Sequence, residues 1–208
     1  MADFAVPPIR PFGIAFEAST GAVTRAGPVL TRKLADLEGL FQDGDAWQAV
    51  RTSDEVVYTV HSSPVPEVPR ELPQSITTIY PGDVAGEFYM TKGHQHPDPQ
   101  GEIYLGITGL GGLLLFDGSE YEWIDMAPGT SGYIPPHWAH RSVNVGSAEP
   151  YRFLAVYPGS AGHDYQWVLD HGMGARAKRL GDAFELVPFG RAPERSVGRA
   201  VTCGFAGM

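Results

Sequence analysis

The stretch "TKGHQHPDPQGEIYLGITG", residues 91–109, sets His94 and His96 on either side of one glutamine and, after five intervening residues, places Glu102 at the head of an apolar run. On a strand, residues two apart project to the same side, so the two imidazoles can reach a common ion. Glu102 and Tyr104 repeat that geometry on the strand that follows.

A second segment completes the pattern. "GTSGYIPPHWAHRSVN", residues 129–144, carries His140 just beyond a Pro135-Pro136 corner, with Gly129 before it and Asn144 after it. Three imidazoles and a carboxylate suit one divalent transition metal per chain, with coordination positions left for water or substrate. An open position separates a catalytic metal from a closed structural one. His137 is left out of the set, because a residue three before His140 faces the opposite side of a regular strand. His61 and His171 read as packed or solvated polar residues.

The surrounding chain is all-β in pattern. From Glu55 onward, runs such as "EVVYTVHS", "SITTIYP", "GEFYMTKGHQH", "EIYLGITG", "GGLLLFDGSEYEWIDM", "SGYIPP", "AHRSVNVG" and "YRFLAVYP" are separated by Pro, Gly or Asp-Gly. That spacing implies a closed or double-sheet β architecture with a few short helices. Asp117-Gly118 predicts a two-residue hairpin turn. Helices are expected over 32–41, where Leu34, Leu37 and Phe41 share a face, over the adjoining "DGDAWQAV", and over 164–173. With no internal repeat and no linker, the 208 residues read as one domain: an N-terminal arm over about 1–54, a barrel over 55–163, and a C-terminal helix and tail over 164–208.

A net charge of −9, with 15 basic residues scattered along the chain, excludes the Lys/Arg field that a nucleic acid or an anionic membrane would need. The longest uncharged run, "IYLGITGLGGLLLF", is too short to span a bilayer. The amino terminus carries Asp3 and early prolines in place of an export signal, and the lone Cys203 permits no internal disulfide. A cytoplasmic protein acting on a small ligand is the expectation. Cys203, without a basic neighbour, is expected to be inert.

The spacing H-x-H-x(5)-E-x(6)-G, followed by G-x(5)-P-x(4)-H-x(3)-N, resembles the two motifs of the cupin superfamily, whose fold is a double-stranded β-helix, or jelly-roll barrel, with a metal inside. A narrower resemblance, over about 11–173, is to the cupin-type phosphoglucose isomerases of archaea and some bacteria. It is carried by "PFGIAFEASTG", "LADLEGLF", "EVVYTV", "TTIYPG", "GEFYMTKGHQH", "YIPPHWAHRSVNVG" and "FLAVYPGSAGHDY". Two departures stand out: the gap between His96 and Glu102 is one residue shorter than in that group, and His137 occupies a position where many cupins carry glycine.

The resemblance implies an aldose-ketose isomerase interconverting glucose 6-phosphate and fructose 6-phosphate, in a homodimer. The metal, Fe2+ first with Mn2+, Zn2+ and Ni2+ as alternatives, would be held by His94, His96, Glu102 and His140. Thr77, Thr91, the Gly93 backbone and Tyr157 match positions that hold phosphate, although both threonines also fit as ordinary strand residues. Lys92 should point out of the barrel if its neighbours face in. Glu102 matches the catalytic base, and His163 joins it as a catalytic group. Tyr58, Tyr104 and Tyr165 would line the sugar pocket, while Asp164 fits a helix start equally well. Whether hydrogen moves as a proton through an enediol or as a hydride stays open, as do two other classes, a metal-dependent cupin dioxygenase and a non-catalytic sugar-binding cupin.

Overall fold

The structure, a computed structural model, describes residues 9–24 and 27–189, so Cys203 lies outside it. Strand β1 (Val29–Lys33) leads into a single 3-10 turn (Leu34–Leu37) and helix α1 (Gly44–Val50). Then come β2 (Val56–Ser62), β3 (Gln74–Ile79), β4 (Asp83–Val84), β5 (Glu87–Phe88), β6 (Glu102–Thr108), β7 (Gly111–Phe116) and β8 (Tyr121–Asp125). After β9 (Ser131–Ile134), β10 (Ala139–Asn144) and β11 (Tyr151–Val156), the chain enters helix α2 (Tyr165–His171) and finishes in β12 (Ala175–Leu180) and β13 (Ala183–Pro188).

The strands form antiparallel sheets ordered β1-β2-β3-β11-β6-β9, β10-β7-β8 and β13-β12-β5-β4. Alternation along β6 shows how the sequence selects its inner face: Glu102, Tyr104 and Gly106 are buried while Ile103 and Leu105 are exposed. β7 and β10, paired in full register from Ala139 with Phe116 to Asn144 with Gly111, are buried along their whole length. The result is the all-β double-stranded β-helix that the cupin resemblance implies, in agreement with the double-sheet architecture read from the strand spacing.

Several local expectations change. The apolar face of Leu34, Leu37 and Phe41 is buried as expected, but within 32–41 only Leu34–Leu37 are helical, as a single 3-10 turn. Arg32 and Lys33 pair with β2 as strand, so cross-strand hydrogen bonding overrides helix periodicity there. Extended backbone at Glu38 and a left-handed Gly39 then stop the turn. The β7–β8 hairpin turns one residue later than expected, about Gly118-Ser119: Asp117 donates its N–H to the Glu120 carbonyl and its carboxylate accepts from the amides of Ser119 and Glu120. The segment after Ala175 is a hairpin, β12–β13, closed at Gly181-Asp182 and joined to β5 through Lys178 and Glu87. α1 and α2 form where expected, each capped by an aspartate, Asp43 and Asp164, whose carboxylate accepts an amide of the first turn. That cap is the role the structure gives Asp164.

Candidate metal centre and its cavity

The segment carrying the first histidine pair is not a continuous strand. After β5 it runs beside β10 through isolated bridges at Met90 and His94, and Gly93 between them has φ of +74°. A side chain at Gly93 would bring its Cβ to 3.0 Å from the His140 carbonyl oxygen and 3.2 Å from the Arg141 Cβ, so glycine permits this approach. Directly after it, His94 and His140 exchange backbone hydrogen bonds of 3.2 and 2.9 Å, which stands their side chains together on the inner face. Glu102 enters from β6, held in register opposite Ile134 of β9.

The ligand atoms of His94, His96, Glu102 and His140 all lie within 4.8 Å of one another. Carbonyls on the far side of two rings set their orientation: the His96 Nδ1 lies 2.7 Å from the Gly162 oxygen, and the His140 Nδ1 3.5 Å from that of Trp138. Nε2 is thereby turned inward in both, the arrangement expected of imidazole ligands. The Nε2 atoms of all three histidines and the Glu102 Oε1 are buried and make no hydrogen bond among the described residues. Glu102 Oε1 and His140 Nε2 are 2.5 Å apart, and Glu102 Oε2 and His96 Nε2 3.6 Å, contacts of charge and proximity without hydrogen-bond geometry. A buried unpaired polar group costs about 1–3 kcal/mol. Four of them converging on one point is uneconomical unless a cation satisfies them together, so the donor set fits a transition metal.

Charge in the cluster is uneven. Burial, reinforced by His140 and His163, holds His94 well below the ordinary imidazole range and keeps it neutral. Burial acts against the Glu102 carboxylate, but the facing His140 and His96 outweigh it and hold the acid well below its usual value. For His96 burial is likewise outweighed, here by Glu102 and the Gly162 carbonyl, and the imidazole is raised.

The cluster opens onto a cavity of about 300 Å³. Its wall takes Tyr58 from β2, Thr77 from β3, Thr91, Gly93 and His94 from the segment after β5, Glu102 and Tyr104 from β6, and His140 from β10. Tyr157, beyond β11, and His163 and Tyr165, at the approach to α2, complete it. Every residue expected to act on substrate therefore faces one space, and His96 sits behind Glu102 as part of the ligand cluster only. The His163 ring lies 4.5 Å from that of His94 and stacks at 11° with Tyr165. Burial raises the Tyr58 hydroxyl to about 12, so it remains a neutral donor.

Lys92 also lines the cavity, contrary to the expectation that it points out. The left-handed backbone at Gly93 ends the strand alternation on which that expectation depends. Arg32, placed by its sequence pattern in a helix, stands instead on β1 in register with Tyr58, with its Nε buried and unpaired among the described residues. Burial and the nearby Arg32 both lower the Lys92 ammonium pKa. Glu67, also on the wall, comes from a proline-rich segment with no periodicity to reveal it.

Other motif residues are structural. His137 occupies an exposed turn, not a strand, with φ of +71°, and its carbonyl accepts from the Gln95 side chain at 2.7 Å. The position thus uses the backbone conformation that favours glycine, and its imidazole stays outside the ligand cluster. Asn144 is fully buried and bridges the carbonyls of Ile79 and Glu149. His171 stacks on Trp167.

Comparison with known proteins adds a family. The family profile described as Glucose-6-phosphate isomerase (GPI) matches residues 31–184. A Thermococcus kodakarensis protein named glucose-6-phosphate isomerase is 46% identical over 165 residues, covering 78% of this chain and 86% of that one. One of the same name from Pyrococcus furiosus is 43% identical over 166 residues, covering 78% and 87%.

Proposed function

The chain belongs to the glucose-6-phosphate isomerase family, in its cupin form, and from that membership we propose that it is a metal-dependent enzyme interconverting glucose 6-phosphate and fructose 6-phosphate. The observation that carries the reading is the junction of the His94, His96, Glu102 and His140 cluster with a cavity that Thr77, Thr91, Lys92 and Gly93 also line. A phosphorylated sugar needs both features, a site that polarises its carbonyl end and a cationic site that holds its phosphate.

A divalent cation held by His94, His96, Glu102 and His140 would supply Lewis acidity to the oxygens of C1 and C2, stabilising negative charge as hydrogen leaves C2. Glu102 is the base that this wall offers. In the enediol route its carboxylate takes the proton from C2 of the aldose and returns it to C1, while the hydroxyl proton on O2 is carried to O1, giving the ketose with nothing gained or lost. His163, beside His94 on the cavity wall, is the group placed to carry that second proton. At the other end Thr91 Oγ1 accepts from the Ser142 amide at 3.1 Å, which leaves its hydroxyl proton to donate to phosphate with Thr77 and the Gly93 N–H. Tyr157 joins them at the phosphate, and Tyr58, Tyr104 and Tyr165 contact the sugar.

Fe2+ is the metal we assign, on the resemblance to cupin-type isomerases. The same resemblance supports a cytoplasmic homodimer serving glycolysis and gluconeogenesis. The exposed apolar Ile103, Leu105 and Tyr133 on the outer face of β6 and β9 offer a surface for the second copy, and no helix among the described residues is long and apolar enough to cross a membrane.

A coupled isomerase assay tests the reading. Activity on both sugar phosphates is expected in metal-loaded protein, to vanish on chelation and to return with Fe2+. Oxygen uptake without isomerisation would identify a dioxygenase, and binding without turnover a sugar-binding cupin. Label from solvent water should enter the product if the enediol route operates, whereas a hydride shift would retain the substrate's hydrogen.

Lys92→Gln probes the cation on the cavity wall. Removing one charged donor should raise KM for the sugar phosphate about 10- to 100-fold, with kcat and metal content nearly unchanged, as steady-state kinetics and metal analysis would show.

A further inference from the structure

A second cavity, of about 390 Å³, shares no lining residue with the first among those described. The alternation of β10 separates the two: His140 faces the metal cluster, and the next residue, Arg141, lines the second cavity. Around Arg141 stand the connection between the 3-10 turn and α1, the end of α2 and the start of β12.

Arg141 is 4% exposed, and its only hydrogen bond among the described residues runs from Nη2 to the Lys92 carbonyl at 2.7 Å. Its Nε is buried without a partner. Glu87 acts on Arg141 from nearby but is committed elsewhere: Oε1 accepts the Arg176 Nη1 at 2.6 Å and Oε2 the Gln42 amide at 2.8 Å. Arg176, 9% exposed, lines the same cavity, and its Nε is likewise buried and unpaired. Two guanidiniums set against one carboxylate leave one positive charge over. Buried charges are paired as a rule, and the unpaired one here adjoins an open space.

The rest of the wall narrows the chemistry of its partner. Phe41, Val168, Met173 and Phe189 are apolar, and the Arg176 guanidinium stacks over the Phe189 ring, 4.0 Å from its centre. Such a wall takes a ligand with an apolar body, oriented by a few polar groups. One uncompensated guanidinium balances one negative charge, and its planar fork matches a carboxylate. Asp170, exposed on the same lining, opposes a second negative charge and so disfavours a phosphate dianion.

We propose that this cavity is a non-catalytic binding site for a small organic carboxylate with an apolar body, its charge held by Arg141. The site is built from residues outside the metal-bearing cavity, and its test needs no sugar phosphate.

4-Bromobenzoate is the probe, titrated calorimetrically into the full-length, metal-loaded protein. Anomalous diffraction from a soaked crystal should place its bromine among the apolar residues and its carboxylate on Arg141. Arg141→Met keeps much of the side chain's bulk without its charge and should weaken binding at least about 10-fold. Leu169→Glu makes the same point away from the buried packing and decides it if Arg141→Met does not fold. Leu169 is 47% exposed on the cavity lining, and a carboxylate there should weaken binding about 5-fold or more. Lys178→Met removes a cation from β12 outside this cavity and should leave the affinity within about 2-fold. Bromine found only at the metal centre, a cavity filled by the protein's own chain, unchanged affinity in either folded cavity variant, or an equal loss in Lys178→Met overturns the proposal.

Discussion

Glu102→Gln should lower kcat by about 10³-fold, within the range that positioned acid–base groups contribute, and should do so without unfolding the chain. The substitution preserves size in a residue that is 3% exposed at the start of β6, where the strand pairing with β9 sets its position. Its chemical effect is large because the amide cannot accept the C2 proton. It is also a weaker ligand than the carboxylate that now faces His140 and His96, so metal content must be measured on the same sample. A variant that retains metal and loses turnover isolates the base. Loss of metal with turnover, followed by recovery of rate at high metal concentration, would assign Glu102 to coordination alone. Full turnover with the metal bound would remove it from the chemistry and leave the hydride route, which needs no base at that position.

The legible parts of the fold share one property, regular backbone. In β6 the alternation of Glu102, Tyr104 and Gly106 inward with Ile103 and Leu105 outward is readable because nothing interrupts the pleat. The capped helix starts at Asp43 and Asp164 are readable because a cap is a local event. Lys92 is misread for the opposite reason: at Gly93 the backbone turns left-handed, and a side chain assigned to the outside lines the cavity. Arg32 is misread because leucine spacing carries no information about β2, whose pairing with β1 brings the guanidinium beside Tyr58. The hairpin after Ala175 did have a signal in Gly181-Asp182, a two-residue turn between alternating segments.

The convergence of His94, His96, Glu102 and His140 was legible despite an irregular backbone, for a different reason. Strand alternation alone would not guarantee that His94 and His96 share a target, since residues 89–96 pair with β10 through isolated bridges and not through a continuous ladder. What brings His94 into place is its reciprocal pairing with His140, a contact between segments far apart in sequence. His96 is turned inward separately, by the Gly162 carbonyl on the approach to α2. Each ligand therefore depends on a different junction of the barrel, and the cluster exists only when those junctions are closed.

That dependence ties the ion to stability, and chelation is expected to lower the melting temperature as well as abolish turnover. A ligand bound only by the folded state at about 100 times its Kd stabilises by about 2.7 kcal/mol. For a chain of this size that corresponds to roughly 5–10 °C. Differential scanning calorimetry with and without chelator measures the shift, and restored metal should reverse it. His140→Ala should abolish most of the metal-dependent shift, because it removes a candidate ligand that is 1% exposed and paired through its backbone with His94. His137→Ala should keep the shift intact, since that imidazole is exposed on a turn outside the cluster. Equal melting temperatures in loaded and chelated protein would mean that the four buried polar atoms are satisfied without an ion, and the proposed metal centre would fall with its chemistry.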